Sequence, residues 1–397
     1  MQITKTVWIL SAVSLFTDMA SEMLYPIMPV YLKAIGFSVL LIGVLEGVAE
    51  AVAGLSKGYF GKLSDNSGKR VPFVQLGYAL SAISKPMMAM FVYPAWIFIA
   101  RTTDRIGKGI RTGARDALLS DEATPATKGK VFGFHRSMDT LGAVLGPSLA
   151  LLYLWYYPND YGTLFLLAFL PGMAAVFASL LLKQKNRPEI KRSAGTSFFG
   201  FLHYWKESPP QYRKVVAGLL AFALFNSSDA FILLKAKQSG LTDSMVIGLY
   251  IFYNLIYALS AYPAGILADR LGLKNMFLLG LGIFTAVYAG MAFTASFTVF
   301  LLLFFLYGCY AAATEGVAKA WISNIAGKQD TATAIGTYAG FQSIFAMLAS
   351  SLAGLVWYAF GAPATFLLTA VATALVTAYL FWFTTTGQPP KTAAPAI

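Results

Sequence analysis

Cysteine occurs once in this chain, at position 309, and histidine twice, at positions 135 and 203. A lone cysteine inside an apolar run rules out a disulfide framework. Two distant histidines without accompanying ligand spacing argue against a structural metal site. Charge is scarce as well. Only 12% of the 397 residues are Asp, Glu, Lys or Arg, about half the share that soluble domains carry. Three reaction signatures are missing: the GxxxxGK[ST] loop that cradles ATP, the HExxH helix that holds zinc, and the GxSxG turn that presents a nucleophile. The chain is therefore expected to be no enzyme, to hold no cofactor or metal, and not to use ATP directly.

What it has instead is apolar sequence, 57% of all residues, with a mean hydropathy of +0.63. This comes in blocks long enough to cross a bilayer. Twelve are expected: 6–32, 39–60, 72–92, 95–117, 129–154, 162–183, 214–235, 244–266, 275–293, 297–321, 332–357 and 363–383. The first is too long for a signal peptide, carries Asp18 and Glu22, and lacks a small-residue cleavage site, so it reads as a retained helix. The formal net charge of +12 does not mark a nucleic-acid binder, because the cations gather in alternate loops. Lys57, Lys62, Lys69 and Arg70 follow the second span, Lys128 and Lys130 the fourth, Arg270 and Lys274 the eighth, and eight more lie between the sixth and seventh. The opposite loops are nearly bare of them. The partner is a lipid bilayer, and the positive-inside rule places both termini in the cytoplasm.

The chain also repeats. GKLSDNSGKR (61–70) has a counterpart in GILADRLGLK (265–274), and RDALLSDEATPATKGKVFG (115–133) aligns with AKAWISNIAGKQDTATAIG (318–336). Both matches run in the same direction through six spans, giving an all-α membrane fold of two parallel-repeat halves. The halves are expected at 1–183 and 213–384, joined by a cytoplasmic linker, 184–212, and followed by a disordered tail, 385–397. Within the linker, SFFGFLHYW reads as an interfacial amphipathic piece.

Gly61, Asp65, Gly68, Lys69 and Arg70 in the first loop, with Gly265, Asp269 and Arg270 in its weaker copy, resemble the cytoplasmic loop signature of the major facilitator superfamily. Asn66 stands where that family usually has a cation. Gly142, Gly146 and Pro147 on the fifth span resemble the glycine–proline motif of the superfamily's antiporters, although Ala150 and Leu151 replace its closing glycines. The resemblance covers essentially the whole chain. It implies a secondary transporter of the bacterial inner membrane that works as a monomer and rocks its halves about a midplane site. The loop motif carries its own physics. Glycine lets two helix ends meet closely, and an aspartate there can cap or face a positive helix N-terminus, forming a latch.

One stretch departs from the greasy pattern. In RTTDRIGKGIRTGARD (101–116), Arg101, Arg105, Lys108, Arg111 and Arg115 recur every three or four residues around Asp104, a single stripe on a helix. Intramembrane charge needs partners or water. Candidates at matching depths are Asp18 and Glu22 on the first span, Glu46 and Glu50 on the second, Lys85 on the third, and Arg136 and Asp139 on the fifth. By axial rise, Glu22, Glu46, Lys85 and Arg101 share one level, and Asp18, Glu50, Asp104, Arg105 and Asp139 another. A voltage sensor and a purely structural lock compete with a proton-coupling network in which Asp18, Glu22 and Asp139 lead as carriers. The second half is poorer in charge. Its Asn226, Asp229, Tyr253, Asn254, Tyr257, Tyr310, Glu315, Tyr338 and Gln342 suit contact with an organic small-molecule substrate. Proton-coupled export of a small organic molecule is the leading expectation. The alternatives are import of an anionic solute drawn to Arg101 and Arg105, or export of a metal or siderophore.

Overall fold

The computed structural model describes residues 3–25, 27–28, 31–32, 35–158, 160–184 and 199–384; the side chains of 39–44, 46–48, 50–51 and 243–244 lie outside that description. The chain is all helical. The first half comprises α1 (Lys5–Glu22), α2 (Val39–Ser67), α3 (Val71–Met90), α4 (Pro94–Asp121), α5 (Lys128–Tyr156) and α6 (Tyr161–Ser179). The second comprises α7 (Pro210–Phe225), α8 (Ala230–Gln238), α9 (Asp243–Leu271), α10 (Leu273–Phe293), α11 (Phe297–Ile325) and α12 (Thr331–Phe383). In hydrocarbon every backbone amide must be satisfied within the chain, so long helices are the available form. Thr4, Asp160 and Thr242 accept amide hydrogens at the starts of α1, α6 and α9, while prolines open α4 and α7.

Two expected spans change shape. The segment 6–32 is not one helix: α1 stops at Glu22, four residues before Pro26, which lacks the amide that would bond the Glu22 carbonyl. The segment 214–235 divides into α7 and α8 around Asn226-Ser227-Ser228-Asp229. Short polar side chains compete for backbone bonds there, and Ser350 Oγ accepts from the Ser228 amide at 3.2 Å. α12 turns at Gly361, whose φ of 81° suits glycine, and so supplies the last two spans. Among the described residues, seven helices are long and apolar enough to cross a membrane by composition alone, all from α5 onward. The charges and polar side chains of α1, α3 and α4 keep those helices out of that set. Burial is inverted relative to a water-soluble domain: Lys85, Arg101, Asp104 and Asp139 are buried, while Leu76, Leu170, Leu259 and Leu375 are exposed.

The linker's residues 185–198 and the tail 385–397 lie outside the described residues. The remaining part of the linker forms a helical turn, Gly200–His203, running into Tyr204–Glu207. Phe201 and Tyr204 are buried and Phe199 is exposed, giving this piece an apolar side that rests on the bundle.

The halves meet along two seams, α5 against α9 and α2 against α12. A Cβ on Gly129 would lie 2.5 Å from the Gly265 carbonyl, and one on Gly61 would lie 2.5 Å from the Ala332 carbonyl, so neither position tolerates a side chain. The loop aspartates fasten the same places. Asp65, near the end of α2, accepts from the Thr333 amide at 2.7 Å and its hydroxyl at 2.8 Å. Asp269, near the end of α9, accepts from the Gly129 and Lys130 amides at 2.7 and 2.8 Å. Each carboxylate therefore caps a helix of the other half, where free amides and the helix dipole favour an anion. Arg70 braces the first cap, reaching Asp65 at 3.2 Å and Asp121 at 2.5 Å. Beyond the apolar part of α2, burial pushes the Asp65 carboxyl up to about 6 against the lowering pull of Arg70 and the Thr333 amide.

With spin labels on cysteines placed at Thr124 and Gln329, Gly129→Val and Gly61→Val are expected to lengthen the label distance by holding the basic end open; an unchanged distance would contradict these seams. Asp65→Ala removes one cap, worth about 1 kcal/mol, so the open population should rise roughly fivefold. Adding Asp269→Ala should contribute a similar further shift, because the two caps share no partner.

Candidate functional site

The charged stripe of α4 opens onto a cavity of about 300 Å³ inside the first half. Among the described residues, Lys85, Arg101, Arg105, Lys108 and Arg111 line it together with Asp18, Glu22 and Asp104, five cations to three acids. Ser21, Leu24, Tyr25 and Met88 complete the wall. Lys85 Nζ pairs with Asp104 at 2.9 Å and donates to Ser21 Oγ at 3.3 Å, tying α3 to α4 and α1. Arg111 donates to Ser81 Oγ at 2.5 Å and stacks over the Tyr78 ring at 4.6 Å. Lys108 is exposed to the cavity rather than packed away. Arg115 leaves the stripe, pairing with Asp116 at 2.9 Å.

At the edge of this cavity the charges cross between halves. Asp18 on α1 and Asp139 on α5 lie within electrostatic reach of one another. Asp139 also accepts from Ser14 Oγ on α1 and pairs with Arg136 at 2.5 Å, one turn away on α5. Arg136 then reaches into the second half, where it pairs with Glu315 on α11 and donates to the Tyr257 hydroxyl on α9. One turn along α11, Lys319 returns the contact by pairing with Asp116 at 2.8 Å. A single helix thus presents an acid and a base to a base and an acid across the interface. His135 is buried within this network, lining a small cavity with Arg115, Asp116, Arg136, Glu315 and Lys319.

The second half holds a smaller cavity of about 70 Å³, lined by Asn226, Tyr310, Glu315, Tyr338 and Gln342, with Leu219, Phe222 and Phe277 as its apolar wall. Next to it, where α7 gives way to α8, Asp229 accepts hydroxyl hydrogens from Tyr253 and, at 2.7 Å, Tyr307. Asn226 donates to the Tyr310 hydroxyl at 3.1 Å.

Of the acids and bases singled out on α1, α3 and α4, the structure gathers Asp18, Glu22, Lys85, Arg101, Asp104, Arg105 and Lys108 around one cavity, with Arg136 and Asp139 at the interface. Glu46 and Glu50 sit on α2 with side chains outside the described residues. Assignment by axial level separated Lys85 from Asp104, yet the two are paired. The lysine's long stem spans the difference. Five of the second-half residues converge on the smaller cavity and two more, Asp229 and Tyr253, adjoin it. Tyr257 instead engages Arg136, and Asn254 turns back onto the Tyr250 carbonyl at 3.0 Å. Glu315 faces both the cavity and Arg136. Gly142 and Gly146 lie against the α1 backbone at Leu15 and Met19, and Pro147 lies inside α5. Ser14, Thr333, His135, Asp116 and Lys319 were not among the predicted site residues. Ser14 carried a signal, since it stands one turn from Asp18 on the same helix face.

Comparison with known proteins agrees with this architecture. The profile of the Major Facilitator Superfamily matches residues 10–252 and 215–397. An uncharacterized MFS-type transporter of Methanocaldococcus jannaschii is 32% identical over 362 residues, covering 90% of this chain and 89% of the relative. Among solved structures, the human organic anion transporter MFSD10 superposes with a TM-score of 0.78 at 18% identity, covering 94% of this chain and 98% of its own. The Escherichia coli fucose:proton symporter FucP gives 0.75 at 13% identity, covering 94% and 97%. Twelve spans in two six-helix halves, reciprocal loop caps and these matches make one case: the chain is a multi-pass membrane protein that belongs to the Major Facilitator Superfamily.

Proposed function

We propose that this secondary transporter moves an anionic solute together with a proton, working as a monomer in a cytoplasmic membrane with its basic end facing the cytoplasm. One observation carries the reading: Asp18 lines the cation-rich cavity and stands within electrostatic reach of Asp139, so that the two acids can hold one proton between them. The five cations among the cavity's described lining residues draw an anion. An anion settling beside Asp18 and Glu22 makes a carboxylate there harder to sustain, so it favours the protonated form. By linkage the proton favours the anion equally, and the two load together. That is the thermodynamic condition for symport.

Arg136 passes the proton's presence on to the interface. With Asp18 protonated, Asp139 alone competes with Glu315 for the guanidinium. Loss of the proton adds a second negative charge beside Asp139, draws Arg136 toward its own half and weakens its hold on Glu315. Lys108, Glu22, Ser14, Arg115 and His135 surround the pair and tune its proton affinity. Alternating access then releases solute and proton on the side where the caps have opened. MFSD10 is named an organic anion transporter and FucP a proton symporter, so the shared fold can host both parts of this reading.

Export remains the second reading, because Gly142 and Gly146 let α5 lie close against α1 in a segment resembling the antiporter motif. In an exporter, solute and proton would compete rather than cooperate.

Proteoliposomes loaded with a pH dye and given pooled organic anions separate the two. Symport predicts that an inward proton gradient accelerates anion uptake and that uptake carries protons inward. Proton flow opposite to the solute would sink the symport reading. Asp139→Asn should lower gradient-driven uptake tenfold or more while leaving solute exchange intact. Lys108→Gln should weaken anion binding about tenfold, the loss of one charge-assisted contact; unchanged affinity would remove the cavity's cations from recognition.

A further inference from the structure

The break between α7 and α8 places a carboxylate in the second half that the proton pathway does not use. Asp229 is the residue at which α8 begins, and each of its oxygens accepts one tyrosine hydroxyl hydrogen, from Tyr253 and Tyr307. Among the described residues no cation pairs with it. Its ionisable neighbour Glu315 is itself an acid. An intramembrane carboxylate without a resident cation calls for one from outside.

Three features indicate which cation. Both hydroxyls donate to the carboxylate, which leaves lone pairs on the hydroxyl oxygens. The Asn226 Oδ1 is buried with no hydrogen-bond partner, while the same side chain's Nδ2 is held by Tyr310. Asn226 lines the smaller cavity, whose apolar wall is Leu219, Phe222 and Phe277. Carboxylate, hydroxyl and amide oxygens next to apolar carbon suit a primary ammonium on an organic body, which brings three N–H donors and a carbon chain. A bare inorganic ion would leave the apolar wall without a partner. Asp229 and the cationic cavity are also near one another: Tyr250 packs against Tyr253, ring centroids 5.5 Å apart, and lies within electrostatic reach of both Glu22 and Asp229.

We infer that Asp229, with Asn226, Tyr253 and Tyr307, is a binding site for a primary ammonium group, and that the transported solute is a zwitterion bridging this site and the cationic cavity of the first half. This rests on the anionic-solute reading and extends it to the solute's other end.

The test is calorimetry on purified protein in lipid nanodiscs, with three homologous series as probes: ω-amino acids of increasing length, the alkanoates lacking the amine, and the alkylamines lacking the acid. One ω-amino acid length is expected to bind at least tenfold tighter than its matching alkanoate and alkylamine. Asp229→Asn should abolish that excess and alkylamine binding while leaving alkanoate binding as it was. Asn226→Leu, which keeps the carboxylate, should reduce alkylamine binding severalfold and serves if Asp229→Asn does not fold. Amino acids binding no tighter than alkanoates at every length would overturn the inference, as would a sodium-chloride signal that disappears in Asp229→Asn. Alkylamine binding without alkanoate binding would instead overturn the anionic-solute reading and the zwitterion with it, leaving the ammonium site alone.

Discussion

A charge in hydrocarbon must find a partner, and most of this structure can be understood as the set of partners found. The first half carries its ions on helices that face one another, so Lys85 meets Asp104 and Arg136 meets Asp139 inside the bundle. The same requirement continues across the interface, where Arg136 meets Glu315 and Lys319 meets Asp116. Because these last partners belong to the other half, charges of the first half also help hold the halves together. A network that merely locked α1 to α5 would have no reason to reach α11. A voltage sensor would have no reason to surround its cations with acids.

The reciprocal caps follow from the repeat. Asp65 and Asp269 occupy equivalent places in the two loop motifs, and the amides they accept belong to the equivalent helices α12 and α5. Close contact at Gly61 and Gly129 brings each carboxylate within reach of its helix. The device depends on symmetry: each half supplies one acid and one helix N-terminus.

Periodicity was enough to outline most of the helices, and both loop motifs stood out, because those features are local in sequence. The stripe on α4 announced a buried charged site for the same reason. What sequence could not place was the pairing. Lys85 was assigned by axial rise, which ignores helix tilt and the reach of a lysine stem, and so was separated from Asp104. That Asp65 would face a positive helix end followed from its chemistry, but that the helix would be α12 of the other half is a tertiary fact. The division of α7 from α8 was written in Asn-Ser-Ser-Asp, yet the surrounding apolar residues gave that run the outline of a continuous span. His135, set aside for want of metal-ligand spacing, proves to sit among the interface charges.

The account stands on one shared proton. Infrared difference spectroscopy across a pH titration would look for it directly, through the carbonyl stretch of a protonated carboxyl in the ligand-free protein. The account predicts such a band at neutral pH that disappears in Asp18→Asn and shifts in Asp139→Asn. A spectrum without the band, or with one indifferent to both substitutions, would contradict it.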